Sequence, residues 1–283
     1  MIPINWATAI KYGALVQIAE SVSPSADYAP VDIAKITAAG YTLVQTIYGD
    51  DLATDVDSHL GDTVTFGFIA VSAQKELVAI IRGTDTILEW LHDASFLMVP
   101  SPIVNAHGLT EDGFTAVYRS LRIGRGNGTP AVKDSIQTCL QTGTATSVTV
   151  CGHSLGAALA TLLTLDVGLN TLCKAPTVYT YASPRTGDHT FANFFNAAIA
   201  SSYRIANRQD LVPKLPPLLP LTYEQVNTEY DLNPPYGAIA ETIACMHHLT
   251  TYLWLMDQLA GTHSYPLDPD CAAAPAAPKG IAP

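Results

Sequence analysis

Thr149-Val150-Cys151-Gly152-His153-Ser154-Leu155-Gly156-Ala157-Ala158-Leu159-Ala160 reads as a β-branched strand, the pentad Gly-x-Ser-x-Gly, and then an Ala/Leu-rich helix. The context carries more than the pentad. A nucleophile elbow needs a strand-to-helix turn so sharp that the serine takes strained backbone angles and its hydroxyl stands clear of the sheet. Gly152 and Gly156 supply the missing side chains that let strand and helix approach. The helix N-terminus then aims free N–H groups at negative charge developing beside the serine. Alone, the pentad would also fit a glycine-rich turn with an exposed serine. With a strand before it and a helix after it, Ser154 is the candidate nucleophile.

Outward from the elbow, strands and helices alternate. Residues 4–22 place Ile4, Ala7, Ile10, Ala14, Leu15 and Ile18 at helical spacing, and a shorter helix is expected at 31–39. Val64–Val71 and Leu77–Ile81 read as a hairpin or adjacent strands, and 114–121 and 132–140 as helices around the turn at 124–128. After the elbow helix come a strand at 177–182, a helix at 189–200, a strand at 203–206, an extended Pro/Leu loop at 213–220 and a last helix at 248–259. This alternation predicts crossover connections and a mainly parallel central sheet flanked by helices, an α/β fold. Residues 1–270 fit one domain, followed by an Ala/Pro-rich, poorly ordered tail at 271–283.

Bulk composition narrows the function classes. Of 283 residues, 48% are hydrophobic and 14% charged, which is ample for one large core. A net charge of -11 argues against nucleic acid and against electrostatic attraction to anionic membranes. No run approaches the ~18 apolar residues of a transmembrane segment. The start, Met1-Ile2-Pro3-Ile4-Asn5-Trp6, shows no leader pattern, which leaves cytoplasmic and secreted locations both open. Cys139, Cys151 and Cys173 fit small buried hydrophobes. Cys245 and Cys271 are able to pair, although spacing alone does not decide it. No zinc-type spacing occurs, and no metal or cofactor is expected.

A serine hydroxyl needs a base, and the base needs a third group to fix its tautomer. On this type of sheet the partners follow in the order Ser, Asp/Glu, His. Asp166 falls on the elbow helix and Asp188 reads as a helix cap. Asp210, just past the strand Tyr203-Arg204-Ile205-Ala206, is the first choice, with Asp231 in the loop before Pro234 as the alternative. His247 and His248 open the final helix and are both candidate bases, while His153 reads as a packing or backbone-bonding residue. The oxyanion donors expected are the Leu155 backbone N–H and, after the strand Ile80-Ile81-Arg82-Gly83, Thr84.

Five blocks together resemble the class 3 lipase family, the fungal-lipase-like α/β hydrolases. They are Arg82-Gly83-Thr84-Asp85-Thr86-Ile87-Leu88-Glu89-Trp90, the elbow from Gly152 to Ala160, and Tyr181-Ala182-Ser183-Pro184-Arg185-Thr186-Gly187. The other two are the segment from Tyr203 to Pro213 and His247-His248-Leu249-Thr250-Thr251-Tyr252-Leu253. Ala182 and Thr186 depart from the family's Gly-Ser-Pro-Arg-Val-Gly pattern, and the first 60 residues lie outside the likeness.

The resemblance implies an α/β-hydrolase fold, a triad of Ser154, Asp210 and a C-terminal histidine, and oxyanion donors from Thr84 and Leu155. A histidine five before the tyrosine, as in plant-type and many bacterial members, selects His247. The spacing of several fungal members falls on Leu249, and His248 matches neither. The family's lid follows the oxyanion residue, so Ile87, Leu88, Trp90 and Leu91 become the expected lid, able to make transient contact with a lipid interface. The implied activity is hydrolysis of ester or lipid substrates of lipase type. Feruloyl esterase and phospholipase A1 are the alternatives, and a non-catalytic lipid- or partner-binding scaffold is a reading of another class.

Overall fold

In the computed structural model, residues 3–22, 30–52, 60–84, 96–125, 128–218, 222–235 and 237–273 are described. The strands in chain order are β1 (Tyr41–Leu52), β2 (Leu60–Ser72), β3 (Glu76–Ile81), β4 (Met98–Pro100), β5 (Leu109–Glu111) and β6 (Arg122–Ile123). After them come β7 (Ser147–His153), β8 (Thr177–Tyr181), β9 (Gly187–Asp188), β10 (Ser201–Asn207), β11 (Tyr223–Glu224) and β12 (Glu229–Leu232). Among the described residues, one sheet runs in the order β12-β10-β8-β7-β3-β2-β1-β6. From β12 to β3 every pairing is parallel, whereas β2, β1 and β6 extend the sheet antiparallel. A smaller sheet orders β11-β9-β5-β4.

Burial on both faces explains the continuous apolar runs in the sequence. In β3, Leu77, Ala79 and Ile81 enter one core while Val78 and Ile80 enter the other. The first core lies under the helices Asp112–Ser120, Val132–Gln141, Leu155–Asn170 and His189–Ala198. The second lies under Trp6–Glu20 and Leu249–Ala260. Local chemistry sets the helix starts: Asn5 accepts from the Thr8 N–H, and Asp188 caps its helix by accepting from Phe191.

Three sequence expectations change. The strand β1 was not expected. Its register on β2 shifts between Leu43 and Gln45, Ile47 and Tyr48, and Asp50 and Leu52, so its side chains do not alternate cleanly. The final helix is in fact two: Ile243–His247 and Leu249–Ala260, with His248 at φ -55°, ψ 135° between them. His247 therefore ends a short helix instead of opening a long one. Lastly, Cys271 is not loose tail. It is buried, bonded to Cys245, and followed by Ala272 in a bridge to Ile239. Residues 274–283 lie outside the described ones. Cys139 and Cys151 are free and buried, as expected for small hydrophobes, and Cys173 is free and half-buried.

Candidate active site

The turn from β7 into the helix Leu155–Asn170 holds Ser154 at φ 58°, ψ -126°. This left-handed backbone is costly for a side-chain-bearing residue and marks an over-determined turn. Two close approaches determine it. A Cβ on Gly152 would come within 2.1 Å of Gly156 O, and one on Gly156 within 2.4 Å of Arg82 O. The Ser154 N–H also donates to Tyr181 O on the neighbouring strand at 3.0 Å. Only glycine fits at the positions two before and two after the serine.

Elements far apart in the chain meet at the Ser154 hydroxyl. His247 Nε2 lies 2.8 Å from Ser154 Oγ, and His247 Nδ1 lies 2.9 Å from Asp210 Oδ2. Asp210 follows β10 and is fully buried; its Oδ1 accepts from the Val212 N–H at 3.0 Å and its Oδ2 from the Tyr252 hydroxyl at 2.7 Å. With Asp210 accepting at Nδ1–H, the Nε2 lone pair is left facing the serine. Burial pulls the His247 imidazole below its ordinary pKa, against the opposing pull of the Asp210 carboxylate. Its neutral form is therefore the one held at neutral pH.

The helix begins at Leu155, whose N–H belongs to the first turn, where amides have no intrahelical acceptor. Gly83 runs beside the elbow: a Cβ there would sit 3.1 Å from the Ser154 Cβ and from His153 O. Thr84, next in the chain, is buried. Gly83 thus brings the chain segment that leads into Thr84 alongside the elbow.

Of the alternatives, His248 is exposed, its Nδ1 lying 3.8 Å from Cys271 Sγ. Asp231 pairs with Arg208, and Asp166 accepts from Tyr118 and Asn170. The expected lid residues Ile87, Leu88, Trp90 and Leu91 lie outside the described residues. Ala182, the departure from the family block, takes φ 53°, a backbone that glycine would adopt more easily. Among the described residues, no group of three or more His, Cys, Asp or Glu side chains is arranged to hold a metal ion, and no helix is long and apolar enough to cross a membrane.

Sequence reasoning missed two supports. Tyr252 entered only as a spacing marker, yet its hydroxyl bridges Asp210 and the Asn207 N–H, the latter at 2.9 Å. Glu20 was not singled out at all, yet its Oε1 lies 2.7 Å from His153 Nδ1. A buried Tyr in the block carrying His247 was a visible signal for the first. Glu20 lies in a separate helix, and nothing local pointed to it.

The family described as Lipase (class 3) matches residues 78–219, which run from β3 through the elbow and past Asp210. The secreted mono- and diacylglycerol lipase A of Penicillium cyclopium is 31% identical over 242 residues, covering 84% of this chain and 71% of that protein. Phospholipase A1-II 6 of Oryza sativa subsp. japonica is 29% identical over 222 residues. That match covers 66% of this chain and 54% of the rice protein, so the chain spans about half the length of this relative. Among solved structures, the nonglycosylated LIP2 lipase of Yarrowia lipolytica aligns with a TM-score of 0.62 at 20% identity, over 83% of this chain and 82% of that one. The likeness establishes a common α/β-hydrolase fold. With the family match and the Penicillium relative, it places this chain in the class 3 lipase family.

Proposed function

We propose that this chain is a serine ester hydrolase of lipase type acting through Ser154, His247 and Asp210. The observation that carries the reading is the hydrogen-bonded line from Ser154 Oγ through both His247 nitrogens to Asp210 Oδ2, mounted on a strained elbow. Ser154 Oγ attacks the ester carbonyl as His247 Nε2 takes its proton, and Asp210 stabilises the imidazolium that forms. The Leu155 N–H and Thr84 receive the oxyanion. The C–O bond to the alcohol then breaks and His247 returns the proton to the leaving oxygen. Water, deprotonated by the same imidazole, attacks the acyl-serine and releases the acid.

For substrate class, acylglycerols are the first reading, because the Penicillium relative named as a mono- and diacylglycerol lipase aligns along 71% of its length. Phospholipase A1 chemistry is the second reading, supported by the shorter match to the rice protein. Ser154 is 1% exposed, and we take access of an ester to it to be controlled by a lid. The apolar run containing Ile87, Leu88, Trp90 and Leu91 directly follows Thr84 in sequence and is proposed as that lid, making transient contact with a lipid surface. Hydrolysis rates on emulsified mono-, di- and triacylglycerol, phosphatidylcholine vesicles and p-nitrophenyl esters of rising chain length test this. Acylglycerol preference is the result expected. Rates on phosphatidylcholine above all the acylglycerols would select the second reading, and no rate on any ester would end both.

A further inference from the structure

His247 is held at both flanking carbonyls by side chains from elsewhere in the chain. Asn207 Nδ2 donates to Met246 O at 2.9 Å, and His153 Nε2 donates to His247 O at 2.9 Å. The second contact matters more because His247 ends a five-residue helix, where carbonyls run out of intrahelical donors. The backbone then turns at His248, so no continuing helix fixes the base. The His153 ring also lies beside it, tilted by 33°, with ring centroids 4.8 Å apart.

His153 Nδ1 lies 2.7 Å from Glu20 Oε1, the last residue of the N-terminal helix. A carbonyl only accepts, so Nε2 donates to His247 O, and a carboxylate at Nδ1 favours a second donated proton and a positive charge on the ring. Burial works against that charge, but the Glu20 carboxylate and the two hydrogen bonds outweigh it and hold the imidazole above its ordinary value. Facing the ring from the other packed elements are Asp210 and His247, with the Tyr252 ring 6.1 Å away.

We propose that Glu20 and His153 are a positioning pair for the base: Glu20 orients the His153 ring, and His153 pins the His247 carbonyl, setting the distance from the imidazole to Ser154. This rests on His247 being the base of an ester hydrolase. It makes the N-terminal helix, which precedes the matched interval 78–219, part of the catalytic unit. The role is one of support, because neither residue touches the reacting atoms.

The test uses His153→Leu, His153→Gln, Glu20→Ala and Glu20→Gln in the full chain. Competent serines are counted by end-point fluorophosphonate titration, and kcat and KM are measured on one p-nitrophenyl ester. A misplaced base slows the chemical step, so His153→Leu is expected to lower kcat about 10- to 100-fold with KM within about twofold. His153→Gln keeps a donor that reaches the His247 carbonyl and should recover most of that loss. Glu20→Ala should lower kcat about 3- to 10-fold, and Glu20→Gln, whose amide can donate to a neutral His153, should stay within about twofold of wild type. If His153→Leu does not fold, the comparison of the two Glu20 variants decides. Four variants indistinguishable from a labelled, active wild type would overturn the pair alone, as would a loss appearing only in KM or a His153→Gln no faster than His153→Leu. A wild-type serine that takes no label would instead overturn the hydrolase reading, and the pair with it.

Discussion

Replacing Tyr252 by Phe removes one oxygen from the centre of the site and leaves the ring in place. That oxygen accepts the Asn207 N–H at 2.9 Å and donates to Asp210 Oδ2 at 2.7 Å, with Tyr252 fully buried. A buried hydrogen bond to a charged group contributes about 1.5–3 kcal/mol, and a buried amide left unsatisfied costs about 1–3 kcal/mol. Because one hydroxyl serves both, the lower ends apply, and the variant should lose about 2.5 kcal/mol of stability. Activity should survive in part, since Asp210 keeps the Val212 N–H and His247. Without the tyrosine donor, however, the carboxylate charge is less neutralised by hydrogen bonding and attracts the imidazolium more strongly. His247 then needs a higher pH to be neutral, so the acid limb of kcat/KM should move up in pH. Urea unfolding with the disulfide intact reads the first effect, and the pH profile of ester hydrolysis reads the second. A stability change below about 0.5 kcal/mol together with an unshifted profile would refute the bridging role.

Other expectations follow from the same geometry. His247→Ala should cut kcat by about 10⁴-fold or more while His248→Ala stays near wild type; comparable rates in the two would defeat the assignment of the base. Cys271→Ser opens the loop of sequence separation 26 closed by the disulfide and should cost about 3.5 kcal/mol in chemical denaturation; an unchanged midpoint would contradict this. Burial raises the Glu111 carboxyl to about 8, so the folded state keeps a proton that the unfolded chain loses above its ordinary 4.5. Its stability contribution is complete below pH 4.5 and is lost as pH rises toward 8. Glu111→Gln should therefore flatten the decline of stability with pH across that window, and a slope equal to wild type would argue against the burial account.

Much of the site was legible in the sequence because its parts lie at element ends with strong local signatures. The elbow needs glycines at 152 and 156 for reasons of contact alone, and Asp210 sits where a parallel strand delivers side chains. The strand β1 was invisible because its bulges break the period-2 pattern that marks a strand. The break between His247 and His248 was hidden because both lie in one apolar, helix-compatible run. Glu20 was unreadable for a different reason: it meets His153 across 133 positions, and only packing of the N-terminal helix on the sheet brings them together. Local pattern reports elements and their ends, whereas contacts between distant elements come from the assembled fold.

The central claim is that Ser154 is the nucleophile, and peptide mass spectrometry after fluorophosphonate treatment tests it most directly, with residual ester hydrolysis followed in the same sample. The account predicts one adduct per chain, on Ser154, with activity lost in proportion to labelling and neither label nor hydrolysis in a folded Ser154→Ala. A label on another residue, or hydrolysis that survives complete labelling of Ser154, would contradict it.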